Sequence, residues 1–183
     1  MTPPRAACRM GAEDSGQVAK TGLPVRSATD STVSIAILME PQDANPAGHI
    51  HGGVILYHID TTAGVVAMRH ARCNVVTASI ERVDFLKPVF IGELVHFKAS
   101  LNCVGRTSME VGVRVEGENL FTGEIRHTAS AYITYVALDS AGRPQPTPAL
   151  RLENDVQRRR WQEAMQRREL RCATLASQAP PSS

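Results

Sequence analysis

The spacing of apolar and polar positions along this chain changes period twice. The stretch STVSIAILMEP, residues 31–41, alternates and is rich in β-branched side chains, which predicts a strand with one buried face, closed by Pro41. GGVILYHIDTTAGVVAMRHAR, residues 52–72, is too long for a strand and carries small or apolar residues on nearly every helical face, which predicts a buried central helix. The period then returns to two. NVVTASIERVDF, ELVHFKASLNCV, SMEVGVRVEGE and EIRHTASAYITYVAL read as strands separated by turn material at LKPVFIG, GRT and NLFTG. One strand, one buried helix and four consecutive strands predict an α+β fold, a curved antiparallel sheet wrapped around the helix over residues 29–138. The edges of such a sheet need covering, and pairing with a second copy would do it.

The flanks show no such period. Residues 1–28, rich in Gly, Ser, Thr, Pro and Ala, read as a disordered arm, and DSAGRPQPTP begins a linker assigned to 139–149. Residues 150–172 read as a charged helix with a thin apolar set at Leu152, Val156, Trp161 and Met165, and 173–183 as a disordered tail. With 183 residues, 43% apolar and 21% charged, the composition fits one globular domain. A net charge of +2 lacks the global field of a dedicated nucleic-acid binder. No apolar run reaches the roughly 18–20 residues of a membrane span, and the N-terminus lacks the apolar core of a secretory signal. Cys8, Cys73, Cys103 and Cys172 stand far apart without a C-x-x-C pair. The expectation is therefore a cytoplasmic protein in a reducing compartment.

The candidate chemistry crowds against the start of the predicted helix, in NPAGHIHGGVILYHID, Asn45 to Asp60. Gly52 and Gly53 read as a tight loop-to-helix turn whose backbone N–H groups lie open at the positive end of the helix dipole. Asp60 is a carboxylate inside an otherwise apolar helix, costly unless it is used or paired, with Thr61 or Thr62 as local partners if it is structural. Asn45, before Pro46, reads on its own as a turn residue. His49, His51 and His58 raise a metal reading, but no H-E-x-x-H motif or cysteine cluster supplies further ligands, so no metal is expected; His51 is expected to shape the turn or line a pocket. There is no P-loop or G-x-G-x-x-G.

Several of these motifs, in order, resemble the hotdog-fold acyl-CoA thioester hydrolases, especially the cytosolic long-chain type: N-x-x-G-x-x-H-G-G entering a helix that carries Asp60, then TASIERVDFLKPVFIGELV, GRTSMEVGVRV and ENLFTGE. The resemblance spans roughly residues 30–170. It implies hydrolysis of fatty acyl-CoA to a fatty acid and coenzyme A, no cofactor, and a homodimer replacing the tandem domains of mammalian members, commonly within a hexamer built as a trimer of dimers. It also implies that Asn45 and Asp60 act together on the thioester.

Thioester hydrolysis needs a polarised carbonyl, an activated water or a nucleophile, and a stabilised oxyanion. The expectation is that the N–H of Gly53, with that of Gly52, binds the thioester oxygen, while Asp60 acts as general base, with direct nucleophilic attack the less favoured variant, and Asn45 orients the water or the carbonyl. Coenzyme A carries a 3′-phosphate and a pyrophosphate, for which Arg106 with the hydroxyls of Thr107 and Ser108 is the leading candidate, and Lys87 and Arg82 are weaker ones. Rival readings are a hydratase or dehydratase on the same fold, a non-catalytic acyl-CoA sensor, and an RNA or acidic-partner site on the arginine-rich C-terminal helix.

Overall fold

The computed structural model describes residues 22–177; residues 1–21, most of the expected arm, and 178–183, the end of the expected tail, lie outside the described residues. The elements are β1 (Val25–Ser27), α1 (Ala28–Ser31), β2 (Val33–Leu38), a 3₁₀ turn (Pro41–Asp43), α2 (Gly52–Ala71), β3 (Asn74–Phe85), β4 (Leu94–Val104), β5 (Ser108–Glu118), β6 (Ile125–Leu138), β7 (Ala149–Arg151) and α3 (Asp155–Ser177). The sheet is antiparallel, in the order β2-β4-β5-β6-β3, and wraps α2 as the alternation predicts.

Odd-numbered positions of the three central strands face α2. Val95, Phe97 and Ala99, Val111, Val113 and Val115, and Ala131 and Ile133 close on Ile55, Ile59, Ala63, Val66 and Ala67 in one continuous core. The hydrophobic effect supplies the driving force, and it explains why a helix apolar on most faces is tolerated only here.

The opposite face of the sheet is polar and is covered by α3. Glu110 of β5 accepts from Asn102 at 3.0 Å and from Arg167 at 2.7 Å. The Arg167 guanidinium lies 3.8 Å from the centre of the Tyr132 ring. Arg171 pairs with Glu81 and donates to Thr134 at 2.9 Å. Gly112 and Gly105 make room, since a Cβ at either would collide with the Asn102 amide or the Arg168 guanidinium.

Three features depart from the sequence reading. Ordered structure begins inside the stretch read as an arm, because β1 pairs in parallel with β7, Val25 to Ala149 through Ser27 to Arg151. A pair of three-residue strands so far apart in sequence leaves no periodic signal. The C-terminal helix starts at Asp155, not 150, and continues to Ser177, past the assigned boundary of 172. Its packed face only partly follows the expected apolar set: Leu152, ahead of the helix, and Trp161 and Met165 are half-buried, but Val156 is half exposed, and the buried positions are Ala164 and Arg168, the latter only 5% exposed.

No helix of the described residues is long and apolar enough to cross a membrane.

Candidate active site

α2 begins where His51 turns the chain. His51 is the N-cap, and its Nδ1 accepts the N–H of Gly53 at 2.9 Å, so that nitrogen is bare and the ring proton sits on Nε2. One of the two expected oxyanion donors is therefore occupied. The Gly52 N–H has no acceptor among the described residues and stands at the positive end of a 20-residue helix. Gly52 is also where the Phe85 ring closes in, 3.5 Å from the place a Cβ would occupy.

An open cleft of about 330 Å³ lies at this end of the helix, lined by Ile50, Gly52, Ile55, Phe85, Leu86 and Lys87 among others. It combines an apolar wall with one cation and the free helix terminus. Asn45 lies in the loop before it, where Oδ1 accepts from Ala47 N at 2.9 Å and His49 N at 3.3 Å. The amide oxygen thus builds the turn, and the Nδ2 donors take no partner among the described residues.

Asp60 sits two turns into α2 on its half-buried side. Oδ1 accepts from the Thr77 hydroxyl at 2.8 Å, and the Tyr135 hydroxyl lies 2.8 Å from both Oδ1 and the backbone oxygen of Asp60. Thr77 and Tyr135 are register partners on β3 and β6, next to a bulge in β3. Burial, then the hydrogen bond and charge of Asp60, push the Tyr135 phenol well above its ordinary value, so it serves as a proton donor. Oδ2 takes no hydrogen bond from the described residues. The arrangement pins a carboxylate by one oxygen and leaves the other available to a water.

The local partners expected for a structural Asp60 do not bind it, since Thr61 and Thr62 donate instead to the carbonyls of Tyr57 and His58. Thr77 and Tyr135 were missed by the sequence reading. Their only linear signal is a hydroxyl on each of two predicted strands, and which strand position faces the helix is set by the bulge.

The remaining candidates divide. Lys87 joins Gly52 in the cleft. Arg82 is tied to Asp84 at 2.6 Å. Arg106 is exposed, but Thr107 and Ser108 are buried, and their turn lies at the other end of the sheet. Ser108 adjoins that turn, whereas Val115 on the same strand pairs with Ala129, which lines the cleft. Seven residues at about 3.3 Å each separate the two ends by about 23 Å. Of the histidines, His58 is wedged between Tyr57 and Phe97, and burial lowers its basicity against the opposing pull of Asp43. No cluster of three or more His, Cys, Asp or Glu side chains forms a metal-binding group among the described residues.

The sequence profile of the thioesterase superfamily matches residues 47–120. The Helicobacter pylori protein VdlD is 37% identical over 147 residues, covering 80% of this chain and 84% of its own length. An uncharacterized acyl-CoA thioester hydrolase of Zymomonas mobilis is 33% identical over 138 residues, covering 74% of this chain and 91% of its own. Among solved structures, an apo hexameric acyl-CoA thioesterase superposes with a TM-score of 0.81 at 37% identity, covering 84% of this chain and 99% of that one. A Staphylococcus aureus acyl-CoA hydrolase, solved with butyryl coenzyme A, coenzyme A and coenzyme A disulfide, superposes at 0.79 with 36% identity, covering 84% and 94%. Three further structures of that hydrolase carry alanine in place of an asparagine, an aspartate fifteen residues later and a threonine seventeen residues beyond that. Asn45, Asp60 and Thr77 stand at those same two spacings.

Proposed function

This chain belongs to the thioesterase superfamily, as one of its hotdog-fold acyl-CoA thioester hydrolases, and on that premise we propose that it hydrolyses fatty acyl-CoA to a free fatty acid and coenzyme A without a cofactor. The observation that carries the reading is the Asp60 carboxylate, held through Oδ1 by two hydroxyls with Oδ2 open. The Gly52 N–H and the helix dipole polarise the thioester carbonyl. Oδ2 takes a proton from water as the water oxygen attacks the carbonyl carbon, giving a tetrahedral oxyanion. The oxyanion then collapses, the C–S bond breaks, and the proton held by Asp60 neutralises the departing thiolate. Thr77 and Tyr135 fix the carboxylate, and the free Asn45 amide donors orient the water or the carbonyl.

Both halves do not fit one chain. Gly52 and Asp60 are eight residues apart, about 12 Å along the helix axis at 1.5 Å per residue, too far for a base that must share a water with the polarised carbonyl. The exposed side of α2, with Tyr57 and Met68, and the free 12-residue edge of β3, with Ile80 and Phe85 exposed, favour a second copy as the missing partner. A two-fold axis through β3 would lay the Asn74 end of one chain beside the Phe85 end of the other. That operation brings the partner turn at Arg106 toward the cleft and its Lys87, where the phosphates of coenzyme A need charge. The hexameric structural neighbour supports assembly into a homohexamer, a trimer of such dimers.

Mixed dimers test the reading. Asn45→Ala and Asp60→Ala chains, each inactive alone, are co-refolded in equal amounts and assayed for free thiol released from acyl-CoA. Random pairing makes about half the dimers mixed, each with one intact site, so activity returns to about a quarter of wild type. Confirmed mixing without recovery returns both residues to a single-chain site, and a wild-type chain that releases no thiol from short, medium or long acyl-CoA removes the activity itself.

A further inference from the structure

The other end of α2 opens into a second pocket, of about 360 Å³, lined by Arg26, Asp30, Ser31, Arg69, His70 and Arg72. Several arginines elsewhere in the fold are neutralised where they stand: Arg114 by Glu116, Arg126 by Glu93, Arg167 by Glu110, Arg171 by Glu81. Arg26, Arg69 and Arg72 form no ion pair among the described residues. The one acid in the lining, Asp30, is committed through Oδ2 to the backbone N–H of Ser27 at 3.2 Å, closing the cap of α1.

Two of the guanidinium groups are braced. Arg26 Nη1 donates to the carbonyls of Arg69 and His70 at 3.3 and 3.1 Å, and Arg69 Nη1 donates to the carbonyl of Thr32 at 3.3 Å. Each is anchored through a single nitrogen, and its other N–H donors take no acceptor among the described residues. The third cation occupies a strained position. Arg72 caps the helix with φ 57°, in the left-handed region where glycine is the usual residue, and it is the one non-glycine with positive φ among the described residues. His70 adds a buried Nδ1 with no partner. Three guanidinium charges face one carboxylate and the roughly half-unit negative charge of the helix end, two of whose carbonyls Arg26 already satisfies.

We propose that this pocket binds a phosphate-bearing small molecule through the guanidinium groups of Arg26, Arg69 and Arg72. Planar guanidinium forks match phosphate oxygens two at a time, and three of them around one polar pocket have no ion-pair partner among the described residues. Within one chain the site is distinct from the cleft. The 20 residues of α2 put it about 30 Å from Gly52 along the axis, and Arg69, nine residues beyond Asp60, points to the opposite side of the helix, toward β2.

The full-length protein is titrated calorimetrically with inorganic phosphate, pyrophosphate, a nucleoside diphosphate and coenzyme A, alongside Arg69→Gln and Arg72→Gly. Saturable binding of at least one probe is expected, weakened about tenfold or more in each variant, the loss that goes with a charge-assisted hydrogen bond. Arg72→Gly relieves the positive φ, so its ligand-free melting temperature stays the same or rises, and a loss of binding there is not a loss of fold. If the phosphates belong to the substrate, Arg72→Gly raises KM for acyl-CoA and leaves turnover of the same acyl group on phosphate-free N-acetylcysteamine unchanged. If they belong to a separate ligand, KM for acyl-CoA does not move while binding of the free phosphate compound is lost. Failure of all four probes to bind, or binding that survives both substitutions in folded protein, overturns the proposal. The binding readout does not use hydrolysis, so it stands or falls apart from the proposed activity.

Discussion

One sheet carries a helix on each face, and the two helices are held by different physics. α2 rests on the apolar face through Ile55, Ile59, Ala63 and Val66, and its contacts are non-directional. α3 rests on the polar face through Arg167 and Arg171, whose contacts with Glu110, Tyr132, Glu81 and Thr134 are directional and charged. The first arrangement tolerates imprecise geometry and punishes lost volume. The second punishes the loss of one partner far more than the loss of both, because a carboxylate such as Glu110, 3% exposed, is stranded away from water when its arginine is removed.

The largest effect expected from breaking this comparison lies on the polar face. Arg167→Met leaves Glu110 without its cation and destabilises by about 3–5 kcal/mol, whereas Arg167→Met combined with Glu110→Leu recovers most of that loss. Ile59→Ala on the apolar face costs about 2–5 kcal/mol and has no partner substitution that restores it except one that refills the cavity. Urea unfolding of the three variants measures both. If Arg167→Met costs under about 1 kcal/mol, the pair behaves as a solvated one and the contrast between the faces dissolves.

That contrast also accounts for what was legible in the sequence. NVVTASIERVDF and SMEVGVRVEGE coincide with β3 and β5, and the helix start at Gly52 was marked by its glycines, because burial by transfer from water imprints a period on the chain. Arginines 167, 168 and 171 carry no such imprint. A charge run reads as solvated, and only the fold discloses that its acidic partners are Glu110 and Glu81 of its own sheet. The site divides in the same way. Asp60 stood out as a charge in an apolar helix, and the hydroxyls of Thr77 and Tyr135 around it did not, since nothing in linear order brings residues 60, 77 and 135 together. Nor did the sequence disclose that the His51 side chain takes the Gly53 N–H and leaves Gly52 as the open donor.

A smaller free energy but a larger functional loss attends the polar exception on the apolar helix. Asp60→Asn keeps the shape and removes the basicity, so thiol release from acyl-CoA should fall about a hundredfold or more, with stability little changed. Tyr135→Phe and Thr77→Val each remove one hydrogen bond to Oδ1, worth about 0.5–1.5 kcal/mol, and should lower turnover up to about tenfold. Equal effects from all three would mean that the hydroxyls act on the reacting atoms themselves and not through Asp60.

The smallest expected effect separates the faces by pH. His70, on the buried side of α2 and 1% exposed, donates from Nε2 to the carbonyl of Pro148 at 2.9 Å. Burial is the main cause that lowers its pKa from the ordinary 6.5; the Pro148 hydrogen bond and Asp30 oppose it, and Arg26 reinforces it. Between the lowered folded-state value and 6.5 the unfolded chain binds more protons than the folded one, so stability rises with pH there. It is whole above about 6.5 and is lost as the pH falls through the folded-state value, at no more than about 1.4 kcal/mol per pH unit for one proton. The ion pairs of the polar face behave oppositely in range. Glu116, held to Arg114 at 2.6 Å and to Lys98 at 2.5 Å, has its pKa drawn from 4.5 to about 2, chiefly by the Arg114 hydrogen bond, so what it contributes is whole above about 4.5 and is lost as the pH falls from there through about 2. His70→Gln keeps a donor for Pro148 and removes the titration. Urea midpoints at pH 7.5 and 5 should therefore differ less in His70→Gln than in wild type, whereas Glu116→Gln should leave that difference as it is. An unchanged difference in His70→Gln would place the acid sensitivity of the fold elsewhere than at the buried end of α2.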